Sequence, residues 1–216
     1  MGNILFFDVE TSGLPPFGRE DPIDQTIGRV CQLAAILTGP DGEHIEAMNH
    51  FIKPDGWVIP PETTAIHGIT TEHCDQHGIP MIDALTRFNE MKEKATDRAA
   101  YNINFDKRLM AREAEILGVP HSSEGIATHC VMQMASPICK MAPTYKMLAA
   151  NRKGFKSPKL QEAYTLIFGQ PFDGAHDAMS DVIATIALFF KIKEIEREKQ
   201  PILPELEIDL FKTGAA

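Results

Sequence analysis

The sequence has few cysteines and no long apolar run. Its 4 cysteines are far apart and form no C-x-x-C pair, which argues against a disulfide framework or a zinc knuckle. No segment approaches the roughly 20 consecutive apolar residues of a membrane helix, and no basic segment followed by a long apolar one opens the chain. These absences favour a cytoplasmic protein without membrane association. A chain of 216 residues with 44% hydrophobic content suits one compact domain.

Acidic residues are missing from one long part of the chain. The formal net charge of -9 by itself argues against a polyanionic partner. No aspartate or glutamate occurs from residue 125 to residue 161, however, and residues 136–157, the basic segment, are predicted to be irregular. We expect the basic segment either to guide a nucleic-acid strand or to be a solvated loop. The cations within this acid-free part are Lys140, Lys146, Arg152, Lys153, Lys156 and Lys159.

A pair of carboxylates follows the first apolar run, residues 4–7. Alternate residues of a strand point to the same face, so Asp8 and Glu10 are expected to lie side by side. Phe7 and Val9 would then pack on the opposite face. A glycine and two prolines soon end the strand. Because adjacent like charges repel unless a cation lies between them, the pattern indicates either a metal site or an edge strand with solvated acids.

The order of the predicted elements indicates an α/β fold. Residues 29–38 and 44–52 are predicted strands joined by a Gly-Pro-Asp-Gly turn, and they form an antiparallel meander with the first strand. Beyond two short helices near residues 61 and 71, helices and strands alternate. The later strands are predicted at residues 98–101 and 127–132, and the longer helices at residues 80–94, 105–117, 159–168 and 178–198.

Local patterns predict how some of these helices begin and which face they bury. Asn104 is expected to cap the helix that presents Asp106, and Asp177, which directly precedes the last helix, is expected to cap that helix. The apolar stripe of the helix at residues 80–94 is expected to consist of Ile82, Leu85, Phe88 and Met91.

Three motifs carry a resemblance to a known family. They are FDVETSG at residues 7–13, YNINFD at residues 101–106 and GAHDAMSD at residues 174–181. In this order and with this spacing, the chain resembles the DEDDh, or DnaQ-like, 3′-to-5′ exonucleases, a family that includes the proofreading subunit of the bacterial replicative polymerase. The sequence IHGIT at residues 66–70 and the sequence KLQ at residues 159–161 extend the similarity to about residues 3–190.

The resemblance implies a catalytic centre with two magnesium or manganese ions. Carboxylate oxygens are the ligands that such hard cations prefer, and a pair of ions activates a water molecule and stabilises a leaving oxygen in phosphodiester hydrolysis. The resemblance implies that His176 is the general base. The implied metal ligands, also counted as catalytic, are Asp8, Glu10, Asp106 and Asp181.

Helix geometry constrains where His176 lies. His176 and Asp181 are five positions apart, about 140° around a helix, so they cannot share one helical face. His176 is therefore expected in the loop that precedes the helix, where it can reach the attacking water. The alternative is a histidine that only serves the capping loop. The family often has a histidine where this chain has Tyr101, a departure that is not expected to abolish activity.

The resemblance also implies contacts with the terminal nucleotide. Leu14 is alternatively a core residue, and His67 alternatively only fixes its own turn. The residues expected to bind substrate are Thr11, Ser12, Leu14, His67 and Asn102.

The expected molecule is an RNase H-like α/β domain at residues 1–199, with a five-stranded mixed sheet flanked by helices. The expected activity is removal of nucleoside monophosphates from the 3′ end of DNA, single-stranded or frayed, in proofreading, repair or degradation. RNA is the nearest alternative substrate, because nothing in the sequence reveals whether a 2′-hydroxyl group fits. A docking module that has lost its metals is a further alternative, against which the intact set of motifs argues.

Residues 200–216 are expected to be a tail that contains an interaction peptide. Ile208, Asp209, Leu210 and Phe211 resemble the peptides with which bacterial replication and repair proteins bind a sliding clamp, although Glu207 replaces their usual glutamine. Leu210 and Phe211 would anchor the tail to a clamp or to a polymerase. The alternative is that both side chains fold back onto the domain itself.

Overall fold

The computed structural model describes residues 2–15, 24–121 and 125–199. The predicted five-stranded mixed sheet is confirmed, with strand order β3-β2-β1-β4-β5. The β1-β2 and β2-β3 pairs are antiparallel, which confirms the meander, and β1-β4 and β4-β5 are parallel. The strands are β1 (Ile4–Thr11), β2 (Val30–Thr38), β3 (His44–Phe51), β4 (Asp97–Ala100) and β5 (Ala127–Cys130).

Helices flank the sheet and connect its later strands. A pair of short helices follows the meander, and the 22-residue α8 is the longest helix in the described ranges. The helices are α1 (Pro61–His67), α2 (Thr71–His77), α3 (Met81–Glu93), α4 (Ile103–Leu117), α5 (Val131–Cys139), α6 (Tyr145–Ala149), α7 (Leu160–Phe168) and α8 (Ala178–Lys199). In the part of the chain that the structure describes, no helix is both long and apolar enough to span a membrane.

The central strand β1 is packed on both faces. Phe7 and Val9 belong to one apolar cluster, and Ile4 and Phe6 belong to the other. The prediction that Phe7 and Val9 pack opposite the carboxylates is therefore confirmed. The second cluster includes one face of α8, so α8 lies on the side of the sheet to which the even-numbered residues of β1 point.

Aromatic contacts fix helices to the two faces. Phe7 meets Phe88 of α3 edge-on at 5.1 Å between ring centroids, and Phe6 meets Phe189 of α8 in the same way at 5.3 Å. Full burial of a phenylalanine side chain contributes roughly 1.5–3 kcal/mol. The contact between Phe6 and Phe189 helps to position α8, the helix that carries Asp181.

Two details of the helix predictions are wrong. Ile82 remains 39% exposed, whereas Met81 and Ala84 are buried, because a strict three-residue step drifts about 60° around a helix at each repeat. Asn104 does not cap α4, because the helix begins at Ile103, one residue earlier, directly after the turn that leaves β4. Asn102 takes the capping position, although its side chain makes no capping hydrogen bond.

The basic segment is more regular than predicted. The end of α5 and the whole of α6 lie within it, and Thr144 caps α6 by accepting a hydrogen bond from the Met147 N–H at 3.2 Å. β5 also ends earlier than predicted, since α5 starts at Val131. The Met132 N–H donates to the carbonyl of Tyr101 at 2.8 Å, which turns the chain away from the sheet.

Candidate active site

Asp8 and Glu10 lie at an edge of the sheet because β1 extends beyond its parallel neighbour. The pairing of β1 with β4 covers only Ile4 to Phe6, so both carboxylates lie past the end of β4. They are half-buried and on the same face of β1. The carboxyl ends of β1 and β4 thus form the kind of edge at which α/β sheets bind ligands.

Asp106 and Asp181 reach the same place from the first turns of two helices. Asp106 lies in the first turn of α4 and is only 3% exposed, and its carboxylate accepts hydrogen bonds from the backbone N–H groups of Val9 and of Asp106 itself. Asp181 lies in the first turn of α8, and the His176 N–H donates to its carboxylate. We call Asp8, Glu10, Asp106 and Asp181 together the acid cluster.

The pKa values of the acid cluster report its crowding. Burial, reinforced by the neighbouring carboxylates, raises the pKa of Asp8 well above its usual range and that of Glu10 to about 8. Burial also raises the pKa of Asp106 to about 7. The charge of Asp181 adds to this rise, and the two backbone hydrogen bonds to the Asp106 carboxylate partly offset it. The pKa of Asp181 rises to about 6, mainly through burial. The field of each carboxylate therefore opposes ionisation of the others.

The acid cluster fits divalent cations. In the described ranges, every charged group whose field shifts these four pKa values is another carboxylate. The Oδ1 atom of Asp181 is buried and accepts no hydrogen bond from any described residue. Ligand atoms of Glu10, His176 and Asp181 also lie within 4.8 Å of one another. These oxygen donors are the ligands that a hard divalent cation prefers.

His176 lies in the loop ahead of α8, as helix geometry predicted. Its side chain is exposed, and its backbone φ of 71° falls in the left-handed region that few residues other than glycine adopt. The prediction that Asp177 caps α8 is confirmed, since its Oδ2 atom accepts from the Ser180 N–H at 3.0 Å. Because that cap fixes the residue directly after His176, it also limits where the imidazole can lie.

Gln32 is a residue of this site that the sequence analysis missed. It lies opposite Glu10 in the β1-β2 pair and is fully buried. Its Nε2 group donates to Asp177 Oδ1 at 2.8 Å and to Asn49 Oδ1 at 3.0 Å, and its Oε1 atom accepts from the Ala178 N–H at 3.2 Å. Gln32 therefore ties the start of α8 to the sheet. The available signal was an amide inside an otherwise apolar strand.

The predicted nucleotide contacts Leu14 and Asn102 are accessible. Leu14 is 77% exposed, so the alternative that it belongs to the core is wrong. Asn102 is exposed in the turn between β4 and α4, and its side chain forms no capping hydrogen bond with α4. Both side chains are available to a ligand at this edge of the sheet.

His67 and Ser12 are instead engaged in the fold. The His67 Nδ1 atom accepts from the Ile69 N–H at 3.1 Å, so Nε2 carries the proton and faces the Thr11 carbonyl at 3.2 Å. His67 therefore does fix its own turn, and it also fixes that turn to the end of β1. The Ser12 N–H donates to the Arg29 carbonyl at 2.8 Å, which leaves this N–H unavailable to a nucleotide.

Comparisons with known proteins agree with this geometry. The sequence matches the RNase_T family model, described as "Exonuclease", over residues 5–189. Among curated proteins, none matches the sequence. Similar solved structures include E. coli exonuclease I in complex with a dT13 oligonucleotide, at 22% identity and a TM-score of 0.71 over 92% of this chain and 42% of that chain.

Two more structures extend the comparison. Exonuclease I from Methylocaldum szegediense is 24% identical, with a TM-score of 0.69 over 94% of this chain and 42% of its own. The zinc-bound form of the E. coli exonuclease I complex with single-stranded DNA is 21% identical, with a TM-score of 0.68 over 91% of this chain and 41% of that chain. This chain thus spans about two fifths of the length of these proteins.

The fold and the site define an RNase H-like α/β domain with a carboxylate centre suited to divalent metal ions. The match over residues 5–189 makes the family plain. The chain belongs to the exonuclease family.

Proposed function

We propose that the chain is a metal-dependent 3′-to-5′ exonuclease that removes nucleoside monophosphates from the 3′ end of single-stranded or frayed DNA. The acid cluster carries the proposal, because it gathers four carboxylates that no positive side chain among the described residues neutralises, with His176 beside Glu10 and Asp181. Membership of the exonuclease family supports the reaction. DNA is favoured over RNA because the similar exonuclease I structures include complexes with DNA oligonucleotides.

The chain's own residues have separate parts in the proposed reaction. Asp8, Glu10, Asp106 and Asp181 would hold two magnesium or manganese ions, which when bound activate water and stabilise the leaving 3′ oxygen. His176 would accept the proton as the water oxygen attacks phosphorus. The bond from phosphorus to the 3′ oxygen then breaks, leaving a 3′-hydroxyl on the shortened strand and a free 5′-monophosphate.

Leu14 and Asn102 are proposed to hold the terminal nucleotide. Leu14 offers an apolar side chain for the base, since most of its surface is exposed beside the end of β1. Asn102 offers an amide from the turn that leads to Asp106. The terminal nucleotide would also depend on Thr11, Ser12 and His67, mainly because their hydrogen bonds fix the end of β1.

A time course on matched substrates tests the proposal. Single-stranded DNA, single-stranded RNA and a mismatched duplex, each labelled at the 5′ end, are incubated with Mg²⁺, Mn²⁺, Zn²⁺ or a chelator. A ladder shortened from the 3′ end of DNA, dependent on Mg²⁺ or Mn²⁺, is expected. Faster loss of RNA would make the chain an exoribonuclease, and no turnover with any metal would favour a docking module.

The charges of the basic segment are proposed to guide the strand. Lys156 forms an ion pair with Glu162 at 2.7 Å, so its charge is already neutralised within the fold. Lys146, Arg152 and Lys153 are exposed. Reversing these three charges to glutamate should raise KM and flatten its dependence on salt, by roughly 0.7 in logarithmic slope for each lost phosphate contact.

The control for that experiment reverses three cations of α8. Lys191, Lys193 and Arg197 give the same change in net charge but lie 10 to 16 residues beyond Asp181, about 15–24 Å along the helix. Their reversal should leave the salt dependence of KM unchanged. An equal change in both triple variants would mean that net charge alone matters and would leave the basic segment a solvated loop.

The tail is proposed to bind a sliding clamp, which would raise the concentration of the exonuclease at a primer end. Residues 200–216 lie outside the described residues, so the proposal depends on Ile208, Asp209, Leu210 and Phe211 in the sequence. A peptide of residues 203–216 should bind a bacterial clamp. Leu210→Ala with Phe211→Ala should abolish that binding and spare hydrolysis of short oligonucleotides. Loss of folding stability in the double variant would favour the fold-back alternative.

A further inference from the structure

Two aromatic side chains of the basic segment face solvent. Tyr145 is 86% exposed, the largest exposed fraction among the large hydrophobic side chains that the structure describes, and Phe155 is 47% exposed. Leu148, 60% exposed, lies one helical turn from Tyr145 on α6. Three large exposed apolar side chains within one stretch of 11 residues indicate a binding surface, because isolated exposed apolar residues are common but clusters are not.

Hydrogen bonds fix the backbone that carries these side chains. Thr144 caps α6 directly before Tyr145, and the Arg152 N–H donates to the Met147 carbonyl at 2.9 Å. Beside Phe155, the Lys156 N–H donates to the Met141 carbonyl at 3.1 Å and closes the loop. The two rings are therefore presented by an ordered scaffold.

The scaffold is tied to the candidate active site at both ends. Tyr101, which lies in the turn leading to Asp106, accepts a hydrogen bond from the Met132 N–H ahead of the basic segment at 2.8 Å. Its hydroxyl donates to the carbonyl of Pro158, directly after the segment, also at 2.8 Å. The departure from histidine to Tyr101 thus supplies the hydroxyl that ties Pro158, at the end of the segment, to the turn that leads to Asp106.

The charges around the rings identify the class of partner. Lys140, Lys146, Arg152 and Lys153 are exposed, and within the described ranges none of them forms an ion pair. No acidic residue occurs from residue 125 to residue 161. A partner that fits carries repeated negative charge together with flat rings, and single-stranded nucleic acid has both.

We propose that Tyr145 and Phe155 are stacking platforms for bases of the single strand upstream of its 3′ end. The inference rests on the proposed exonuclease function and adds a second contact region to it. Charge alone holds phosphates, whereas stacking holds bases of any sequence and keeps the strand aligned as its end is shortened.

Kinetics on long and minimal substrates test the inference. Tyr145→Ala and Phe155→Ala should each raise KM for a 20-nucleotide DNA strand roughly 5- to 150-fold, the range for loss of one stacked base. Hydrolysis of thymidine 5′-(p-nitrophenyl phosphate), which has no upstream base, should not change. Ile45→Ala on β3, 48% exposed, is the matched control and should leave both substrates unaffected.

Replacements at position 145 separate stacking from apolar contact. Tyr145→Trp should keep the low KM and Tyr145→Leu should not. A strand with abasic sites at the upstream positions should bind as weakly to the unsubstituted protein as the normal strand binds to Tyr145→Ala. If Tyr145→Leu behaves as the unsubstituted protein, or if Tyr145→Ala does not alter KM, the inference is wrong.

Binding measured without turnover separates this inference from the proposed function. Fluorescence anisotropy of a labelled strand in Ca²⁺ buffer reports affinity directly. Binding that is weakened by Tyr145→Ala in a chain that cleaves no substrate would overturn the exonuclease proposal alone. Cleavage with unchanged binding by Tyr145→Ala and Phe155→Ala would overturn the stacking proposal alone, and preferential binding of an acidic peptide over the strand would overturn it as well.

Discussion

Two groups of buried charge in this molecule are constructed in opposite ways. Glu113, 1% exposed, accepts hydrogen bonds from Arg29 Nε at 2.9 Å, from Arg29 Nη2 at 2.8 Å and from the Val30 N–H at 2.9 Å. The guanidinium of Arg29 also lies 5.6 Å from the centre of the Trp57 ring. The acid cluster, by contrast, gathers four carboxylates that no positive side chain in the described part of the chain neutralises.

The difference separates a structural charge from a functional one. A buried carboxylate bonded to a guanidinium is neutralised within the fold, and removal of either partner leaves an uncompensated buried charge. A group of carboxylates that raise one another's pKa costs stability until a cation binds, and such groups mark functional sites. Substitutions in the two groups should therefore have opposite effects on activity and stability.

The largest effect is expected from Asp8→Ala or Asp181→Ala. Either substitution should remove nearly all turnover, because the carboxylates are proposed to hold the metal ions. The free energy of unfolding without metal should stay unchanged or increase, since repulsion is relieved. Turnover and urea unfolding in a chelator are the measurements. Turnover within roughly tenfold of the unsubstituted protein in both variants would contradict the metal assignment.

His176→Ala should lower turnover by about 10²- to 10⁴-fold, the range for loss of a general base. Metal affinity, measured by titration calorimetry, should change little. The proximity of His176 to Glu10 and Asp181 makes this the sharper measurement, since the three offer ligand atoms within 4.8 Å of one another. A collapse of metal affinity would make His176 a ligand instead of a base.

Glu113→Ala should show the reverse pattern. It leaves the Arg29 guanidinium buried without its carboxylate, so the free energy of unfolding should fall by about 3–5 kcal/mol. Turnover per folded molecule should be almost unchanged at low temperature. Chemical unfolding checks the first expectation, and activity normalised to the folded fraction checks the second. Loss of turnover without loss of stability would remove the contrast between the two groups.

The metal-free protein should lose stability as pH rises. The folded-state pKa values of Asp181, Asp106 and Glu10 are raised to about 6, 7 and 8, whereas unfolded carboxyl groups titrate near 4. Between these values the folded carboxyl groups bind more protons, so their contribution makes the free energy of unfolding fall from about pH 4 to about pH 8. This contribution exceeds the opposite one of His50, His67 and His121, whose pKa values burial lowers. Mg²⁺ should flatten the curve, as should Asp8→Ala. A metal-free curve that rises across this window would contradict the crowding of the acid cluster.

Much of the site was predictable because the spacing of residues along a strand or helix determines which side chains share a face. Two carboxylates at positions i and i+2 of a strand must share a face, which holds for Asp8 and Glu10. The five-residue gap between His176 and Asp181 excluded a common helical face, and the loop position of His176 follows. The strand meander followed from a four-residue turn, whose Gly39 N–H donates to the Glu43 carbonyl at 2.8 Å.

The features that the sequence did not predict depend on contacts between distant residues or on the position of a helix boundary to within one residue. Asn104 was mistaken for a cap because nothing local reveals that α4 starts directly after the turn at Asn102. The N–H of Ser12 is unavailable only because it pairs with Arg29, 17 residues away. The ordered helices of the basic segment, like the position of Gln32 under Asp177, follow from packing that no short window of sequence contains.

The smallest effect is expected from Gln32→Met, which keeps the volume of the side chain and removes its hydrogen bonds. Asp177 and the Ala178 N–H would each lose a partner, so the free energy of unfolding should fall by about 1–3 kcal/mol. A purely structural residue would lower the folded fraction alone. Because Gln32 holds the loop that carries His176, kcat should fall while KM for the strand is retained. Gln133→Met, at an exposed position of α5, is the matched control and should change neither quantity. An unchanged kcat in a destabilised Gln32→Met variant would mean that Gln32 has only a structural role. The start of α8 would then be positioned for catalysis without the hydrogen bonds of Gln32.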